Sequence, residues 1–311
     1  MGRFVFNRIL QMIPIVFGIS AIVFLSMRLV PGDICYRIHG IKVAPEVIEN
    51  CRQQLSLDQP IYVQYYRYLE GLLAGNLGYS LIFRRPALEL ILERLPVTLY
   101  LAMFSMLLAV LISMPVGILA AVKRDSWVDH LIRGGTTLSL SLPHFVIALG
   151  LMLVFSIRLK LFPVSGYGRT PAEVLHHLFL PSLTLAITVA VLLARGLRSS
   201  LIEILGEDYI RTARGKGVPR QLLFRRHSLP NALVSYVSLI GLNLVVLVGA
   251  TVIVEQVFAL PGLGSLMVTS IFNRDYEVVQ SITLIFALLV VAINLITDLS
   301  YAYIDPRIRY E

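Results

Sequence analysis

Arg198-Ser199-Ser200-Leu201-Ile202-Glu203-Ile204-Leu205-Gly206-Glu207-Asp208-Tyr209-Ile210-Arg211-Thr212-Ala213-Arg214-Gly215-Lys216-Gly217 opens a segment that closes on Arg225-Arg226-His227-Ser228-Leu229-Pro230-Asn231-Ala232. The segment is strongly basic and mixes helix formers with Gly215, Gly217 and Pro219. It separates two long apolar runs, 178–198 and 233–258. A helix rises about 1.5 Å per residue, so a hydrocarbon core of about 30 Å takes roughly 20 apolar residues. Both flanking runs meet that length. The loop suits short helices lying along a membrane surface, with its glycines allowing a sharp turn between them. A basic loop that only fixes orientation has the same composition.

Outward from this loop, the same test finds four more runs near 9–30, 96–122, 132–157 and 280–303, giving six candidate spans. Composition agrees: 57% of the 311 residues are apolar and only 15% are charged, against roughly a quarter charged in a soluble domain. The third run is interrupted by Ser139, Ser141, Pro143 and His144, a break that neighbouring helices can tolerate in a membrane. The first run follows Arg3 and Arg8. It is too long for the core of a signal peptide and no small-residue cleavage site follows it, so it reads as a retained span. Six spans put both ends on one side.

Charge gives the orientation. With the N-terminus in the cytoplasm, the inner segments hold Arg3, Arg8, Lys123, Arg124, Arg133, the cluster Arg211, Arg214, Lys216, Arg220, Arg225 and Arg226, then Arg307 and Arg309. The two short outer loops hold only Arg158, Lys160, Arg169 and Arg274. Cytoplasmic loops collect Lys and Arg, so both termini are expected inside. The same rule accounts for the net charge of +8. No basic stripe interleaved with aromatics speaks for nucleic acid.

The chain is therefore expected to divide into 1–30 (N-terminal segment and span one), 31–95 (outer segment), 96–303 (a five-span core with the loop 199–232) and 304–311 (cytoplasmic tail). In the outer segment Pro31-Gly32-Asp33 ends the first span with turn chemistry. Val47, Ile48, Cys51 and Leu55 suit one amphipathic helix after Pro45. Tyr62, Val63, Tyr66, Leu69, Leu72 and Leu73 suit another after Pro60. Tyr62, Tyr65, Tyr66 and Tyr68 fit either a headgroup layer or packing against the ends of the spans. Cys35 and Cys51 are the only cysteines. On the outer side they form a disulfide or two free thiols.

The loop resembles the cytoplasmic coupling loop of ATP-binding-cassette import permeases, whose pattern is Glu-Ala-Ala, three residues, Gly, nine residues, Ile-x-Leu-Pro. Ala213, Gly217, Leu229 and Pro230 fall in register, while Arg211, Thr212 and His227 depart from it. Glu207-Asp208-Tyr209-Ile210-Arg211-Thr212-Ala213-Arg214 with Lys216-Gly217 resembles the form recurring in the dipeptide, oligopeptide and nickel branch. Leu57-Asp58-Gln59-Pro60, Gly75-Asn76-Leu77-Gly78-Tyr79-Ser80, Arg94-Leu95-Pro96-Val97-Thr98-Leu99, Phe258-Ala259-Leu260-Pro261-Gly262-Leu263-Gly264, Arg274-Asp275-Tyr276-Glu277 and the ending from Asn294 to Arg309 extend the resemblance over nearly the whole chain. Asn76 stands where Asp is commoner.

The resemblance implies an all-α membrane protein of the type I importer permease fold, the first-permease type with a long outer segment. Its expected partners are a homologous second permease, two ATPase subunits and an extracytoplasmic solute-binding protein. It also implies that the loop 207–230 docks on an ATPase: Arg211, Arg214 and Lys216 would pair with acidic groove residues, and Tyr209 and Ile210 would anchor by burial. The solute would be a di- or oligopeptide, with nickel chelates, metallophores and glutathione-like solutes left open.

No catalytic constellation appears. His176-His177 is the only close histidine pair, and adjacent helical residues point about 100° apart, a poor geometry for a shared metal. No Gly-x4-Gly-Lys-Ser/Thr segment is present, so ATP and Mg are expected on partner chains. Polar residues inside spans are the candidates for the solute path: Ser139, Ser141, His144, Asn243, Asn294 and Asp298. A stand-alone secondary transporter or channel would be expected to show internal repeats or intramembrane charge relays, and neither is evident.

Overall fold

A computed structural model describes residues 2–29, 35–36, 43–54, 57–80 and 82–304. The turn at 31–33, Leu55 and the tail from 305 lie outside the described residues. The elements are α1 (Gly2–Leu29), α2 (Pro45–Gln54), α3 (Ile61–Leu73), a two-stranded hairpin of β1 (Tyr79–Ser80) and β2 (Arg85–Pro86), α4 (Ala87–Val122), α5 (Trp127–Ser141) and α6 (His144–Leu151). They continue with α7 (Pro171–Gly206), α8 (Asp208–Gly215), α9 (Arg220–Leu223), α10 (Leu229–Val257), α11 (Leu263–Phe272) and α12 (Tyr276–Ile304).

Among the described residues four helices are long and apolar enough to cross a membrane: α4, α7, α10 with its α9 extension, and α12. The third predicted run is a bent pair, α5 and α6 with its π-helical end, turning through 103°. The bend has a local cause. Pro143 holds Leu142 in extended backbone (φ −91°, ψ 125°), as a residue before proline prefers, and α6 starts afresh behind it. The apolar part of α1, Leu10–Ser26, sits at the short end of the length a span needs.

Helix ends follow capping chemistry more than hydropathy. α7 begins at Pro171, seven residues before its apolar run, because Thr170 and Glu173 form a capping box: Glu173 N donates to Thr170 Oγ1 at 3.3 Å, and Thr170 N donates to Glu173 Oε2 at 3.3 Å. Ser126 caps α5 in the same way, accepting from Asp129 N at 3.4 Å.

The chain divides into two compact units. In the first (1–6, 96–265, 290–311), α7 and α10 make the most extensive helix pairing. Small residues permit close approach, as in membrane bundles generally: a Cβ at Gly196 would overlap Leu239, and one at Gly241 would overlap Thr297. The unit also carries a buried carboxylate. Glu255 accepts from Thr98 Oγ1 at 2.7 Å and from Ser265 N at 3.0 Å, while Leu263 N donates to Thr98 at 2.8 Å. The Phe258–Gly264 stretch is thereby wrapped around that carboxylate.

The second unit (7–95, 266–289) takes in α1 from Asn7 onward, the outer segment and residues 266–289. Tyr65 packs edge-on to Phe17 with centroids 5.5 Å apart and Tyr68 stacks on Phe24 at 5.5 Å, and Tyr65 Oη and Ser20 Oγ are hydrogen-bonded at 2.8 Å. Tyr62 and Tyr66 remain exposed, so the four tyrosines split between packing and an open face. Cys35 and Cys51 are joined by a disulfide, Cα atoms 5.8 Å apart. A loop of this length constrains the unfolded chain by about 3 kcal/mol. Ser80 Oγ donates to Asp275, Tyr79 N donates to Glu277 Oε2 at 2.6 Å, and Ser281 Oγ donates to Leu77 O at 2.5 Å. These bonds tie the hairpin to the start of α12.

Candidate coupling site

The basic loop folds as a helical elbow. α7 runs on past its apolar stretch to Gly206. Glu207 then breaks the helix with extended backbone (ψ 148°), and α8 starts at once. Asp208 in the first turn of α8 and Arg214 in the last both favour the helix dipole. Thr212 Oγ1 donates to Asp208 O at 2.9 Å, and Arg211 Nη1 lies 3.4 Å from Asp208 Oδ1. That ion pair is exposed and worth little by itself.

Gly217 ends the helix. Its φ is +80°, Val218 N donates to Ala213 O at 3.2 Å and Gly217 N donates to Arg214 O at 3.0 Å. This is a Schellman motif, in which the residue after the cap takes the left-handed conformation that glycine adopts without a Cβ penalty. No atom of this chain lies within 4 Å of a Cβ placed there. Gly217 is therefore required for backbone conformation, and no close approach within the chain asks for it.

The return arm has its own irregularity. α9 passes through a π-helical turn, Phe224–Ser228, before α10. Pro230 has no N–H to offer, and Leu229 N–H reaches back five residues to Phe224 O. The widened turn relieves the clash a proline makes in a helix interior. Asn231 then bridges the arms: its Nδ2 donates to His227 O at 2.8 Å and to Tyr209 Oη at 3.1 Å.

Of the predicted loop residues, Glu207, Asp208, Tyr209, Arg211, Thr212, Arg214, Lys216 and Gly217 are exposed, and Ala213 is half-buried. Ile210 is fully buried within this chain, which corrects the expectation that it anchors on a partner. It faces inward from an amphipathic turn, on a helix that contacts α7 and α9. The surface left for a partner is the charged face, with Tyr209 half open at its edge.

Behind the elbow, α7 is pinned to α5. Arg198 Nε donates to Asp129 Oδ1 at 2.8 Å and its Nη2 donates to Oδ2 at 2.7 Å, with Asp129 fully buried. Asp125 N adds a third bond to that carboxylate at 3.1 Å. One turn back, Arg195 donates to Thr136 Oγ1 at 3.1 Å and Thr137 Oγ1 at 2.8 Å. None of these partners was singled out in the sequence. A charged residue inside the run 178–198 was the readable signal for Arg195, whereas Asp129, 69 positions from its partner, gave none.

The predicted path residues scatter. His144 Nδ1 and Thr188 Oγ1 are 3.3 Å apart, and Ser141 Oγ donates to Thr137 O at 3.0 Å. Ser139 is half-buried on the same helix as Ser141. Asn243 is buried at 6% exposure and donates to Leu239 O at 2.8 Å, so it packs inside the unit. Asn294 is exposed and Asp298 half-buried on α12. His176 and His177 turn to different carbonyls, Leu161 O at 2.8 Å and Gly166 O at 3.1 Å.

Two family profiles match the sequence: the binding-protein-dependent transport system inner membrane component over residues 113–310, and the N-terminal part of such membrane components over residues 1–102. Proteins named glutathione transport system permease protein GsiC, from Escherichia coli, Shigella flexneri serotype 5b and Salmonella paratyphi A, are each 42% identical over 311 residues, covering 100% of both chains. Among solved structures, one described as inward facing conformations of the MetNI methionine ABC transporter superposes with a TM-score of 0.58 at 20% identity, covering 70% of this chain and 96% of that one. An amino acid ABC transporter with histidines gives a TM-score of 0.53 at 18% identity, covering 69% and 94%. At these identities the two structures speak for the fold alone.

Proposed function

This chain belongs to the family of binding-protein-dependent transport system inner membrane components, and on that premise we propose that it forms half of a path for glutathione and similar short peptides. It is a multi-pass inner-membrane permease subunit of an ATP-binding-cassette importer. A homologous second permease completes the path. Two ATPase subunits hold ATP and Mg, and a solute-binding protein delivers from outside. On this reading the chain has six spans with both termini in the cytoplasm, an orientation supported by the basic loops, and the elbow of α8 lies on the ATPase side.

The observation that carries this reading is the division of α8 into an inward apolar anchor, Ile210, and an outward charged face, Arg211, Arg214 and Lys216. Such a helix is rigidly attached to its own chain and free to dock elsewhere. Closure of a nucleotide-bound ATPase pair then pushes on α8, and α7 and α10 follow as stiff elements, a rigid-body switch between packings. The glutathione-sized solute is supported by full-length similarity to permeases carrying that name.

The test is uptake of labelled glutathione into proteoliposomes holding this chain, its second permease and the ATPases. Uptake is expected only with ATP and the binding protein together. Uptake by this chain alone, driven by an ion gradient, would place it among secondary transporters instead.

A further inference from the structure

We propose that Arg195 is a carboxylate-binding group on the solute path, a role that rests on the importer reading above. α7 is the most enclosed of the long helices, with 67% of its apolar stretch buried. From Leu178 to Ala186 its side chains are buried or half-buried throughout. Beyond that the fully exposed positions fall on one stripe. Thr188, Leu192, Arg195 and Ser199 follow one another at four, three and four residues, which sets them on one helix face. They are exposed or half-buried, while Val189, Val191, Leu193, Ala194 and Leu197 around them are buried.

Three of the four stripe residues, Thr188, Arg195 and Ser199, are polar, and Arg195 among them is charged. A stripe meeting lipid tails would be apolar, because a charge within a span is costly and is found facing a bundle interior or a water-filled cavity. The open face of α7 therefore turns away from lipid, and on the importer reading it turns toward the path shared with the second permease. His144 lies at one end of the stripe, 3.3 Å from Thr188, and Thr137 flanks Arg195.

The two arginines of this helix are used differently. Arg198 spends its fork on Asp129, bidentate and part-buried. Arg195, one turn away, meets only two threonine hydroxyls, and no carboxylate pairs with it among the described residues. Those hydroxyls take Nε and one Nη2 hydrogen and so fix the plane of the guanidinium. Three of its five donors remain. A fixed, charged, planar fork with donors to spare on that face suits a carboxylate, which an anionic short peptide carries and its ester does not.

The test uses the complex with its second permease and ATPases, nucleotide-free, in discs of zwitterionic lipid. Binding of labelled glutathione and of glutathione diethyl ester is measured by equilibrium dialysis on the same sample, so the ratio does not depend on the fraction folded. The wild-type complex is expected to favour the acid roughly tenfold, as one charge-assisted bidentate contact would. Arg195→Gln is expected to lose that preference, and Arg195→Lys to keep part of it. An Arg195→Gln complex with the wild-type ratio would overturn the proposal. So would a wild-type complex with no preference, the result expected if Arg195 serves lipid phosphates. Neither result touches the importer reading, which stands on ATP-driven uptake.

Discussion

Gly217→Asp is expected to reduce ATP-driven uptake and transport-stimulated ATP hydrolysis to background while the protein still inserts in normal amount. Magnitudes separate the two possible causes. At φ +80° a side chain costs about 1–2 kcal/mol in the left-handed region, and Asp and Asn are among the residues that tolerate it best. Strain of that size shifts a population by roughly tenfold, since 1.4 kcal/mol is one decade. It cannot silence a transporter by itself. No atom of this chain lies within 4 Å of the new Cβ, so a complete loss reports a surface that must accept Gly217 from outside the chain. Gly217→Asn, with the same shape and no charge, is expected to keep measurable uptake. Gly217→Val, which no left-handed turn accepts, is expected to fail with Asp. Wild-type coupling in Gly217→Asp would remove the docking role assigned to this turn.

Arg198→Ala is the second large effect. It leaves the Asp129 carboxylate fully buried with only the Asp125 N–H and the more distant Arg133, 3.8 Å away, to meet it. Removing one partner of a buried pair typically costs about 3–5 kcal/mol because a charge is stranded. Asp129→Ala is expected to cost less, since Arg198 is 20% exposed in its side chain and can reach water. The double variant is expected to be more stable than Arg198→Ala alone, a non-additivity that a thermal-unfolding cycle on the purified complex would read. Additive losses would mean that the pair is not an energetic unit. The pair matters for function because α7 leads into α8, so the end of α7 must be held if the elbow is to act as a lever.

Much of this could be read from the chain, and the reasons it could are specific. Run length marked α4, α7, α10 and α12, because each carries far more apolar residues than any soluble helix needs. Pro143 and the serines around it marked the break in the third run. Periodicity found α2 and α3. Run length misplaced the helix ends: Thr170-Pro171-Ala172-Glu173 is a start signal written in capping chemistry, and hydropathy is blind to it. For the elbow, the resemblance to the coupling-loop pattern located Gly217, Pro230 and the helix near 207–217, but only coordinates turned Ile210 inward and showed which backbone bonds Gly217 closes. The Asp129–Arg198 pair and the Arg195 hydroxyl cradle join residues 58 to 69 positions apart. No local pattern predicts such pairings, because they are set by which faces α5 and α7 bring together.

The central claim is that the outward face of α8 docks on an ATPase subunit. The chain's two cysteines are joined to each other, so a single Arg214→Cys supplies its only free thiol. In the assembled complex a short thiol-directed cross-linker is expected to join position 214 to an ATPase subunit, with ATP and vanadate changing the yield. Tyr62→Cys, on the exposed face of α3, is expected to give none. Cross-linking of the ATPase at position 62 and not at 214 would contradict the account.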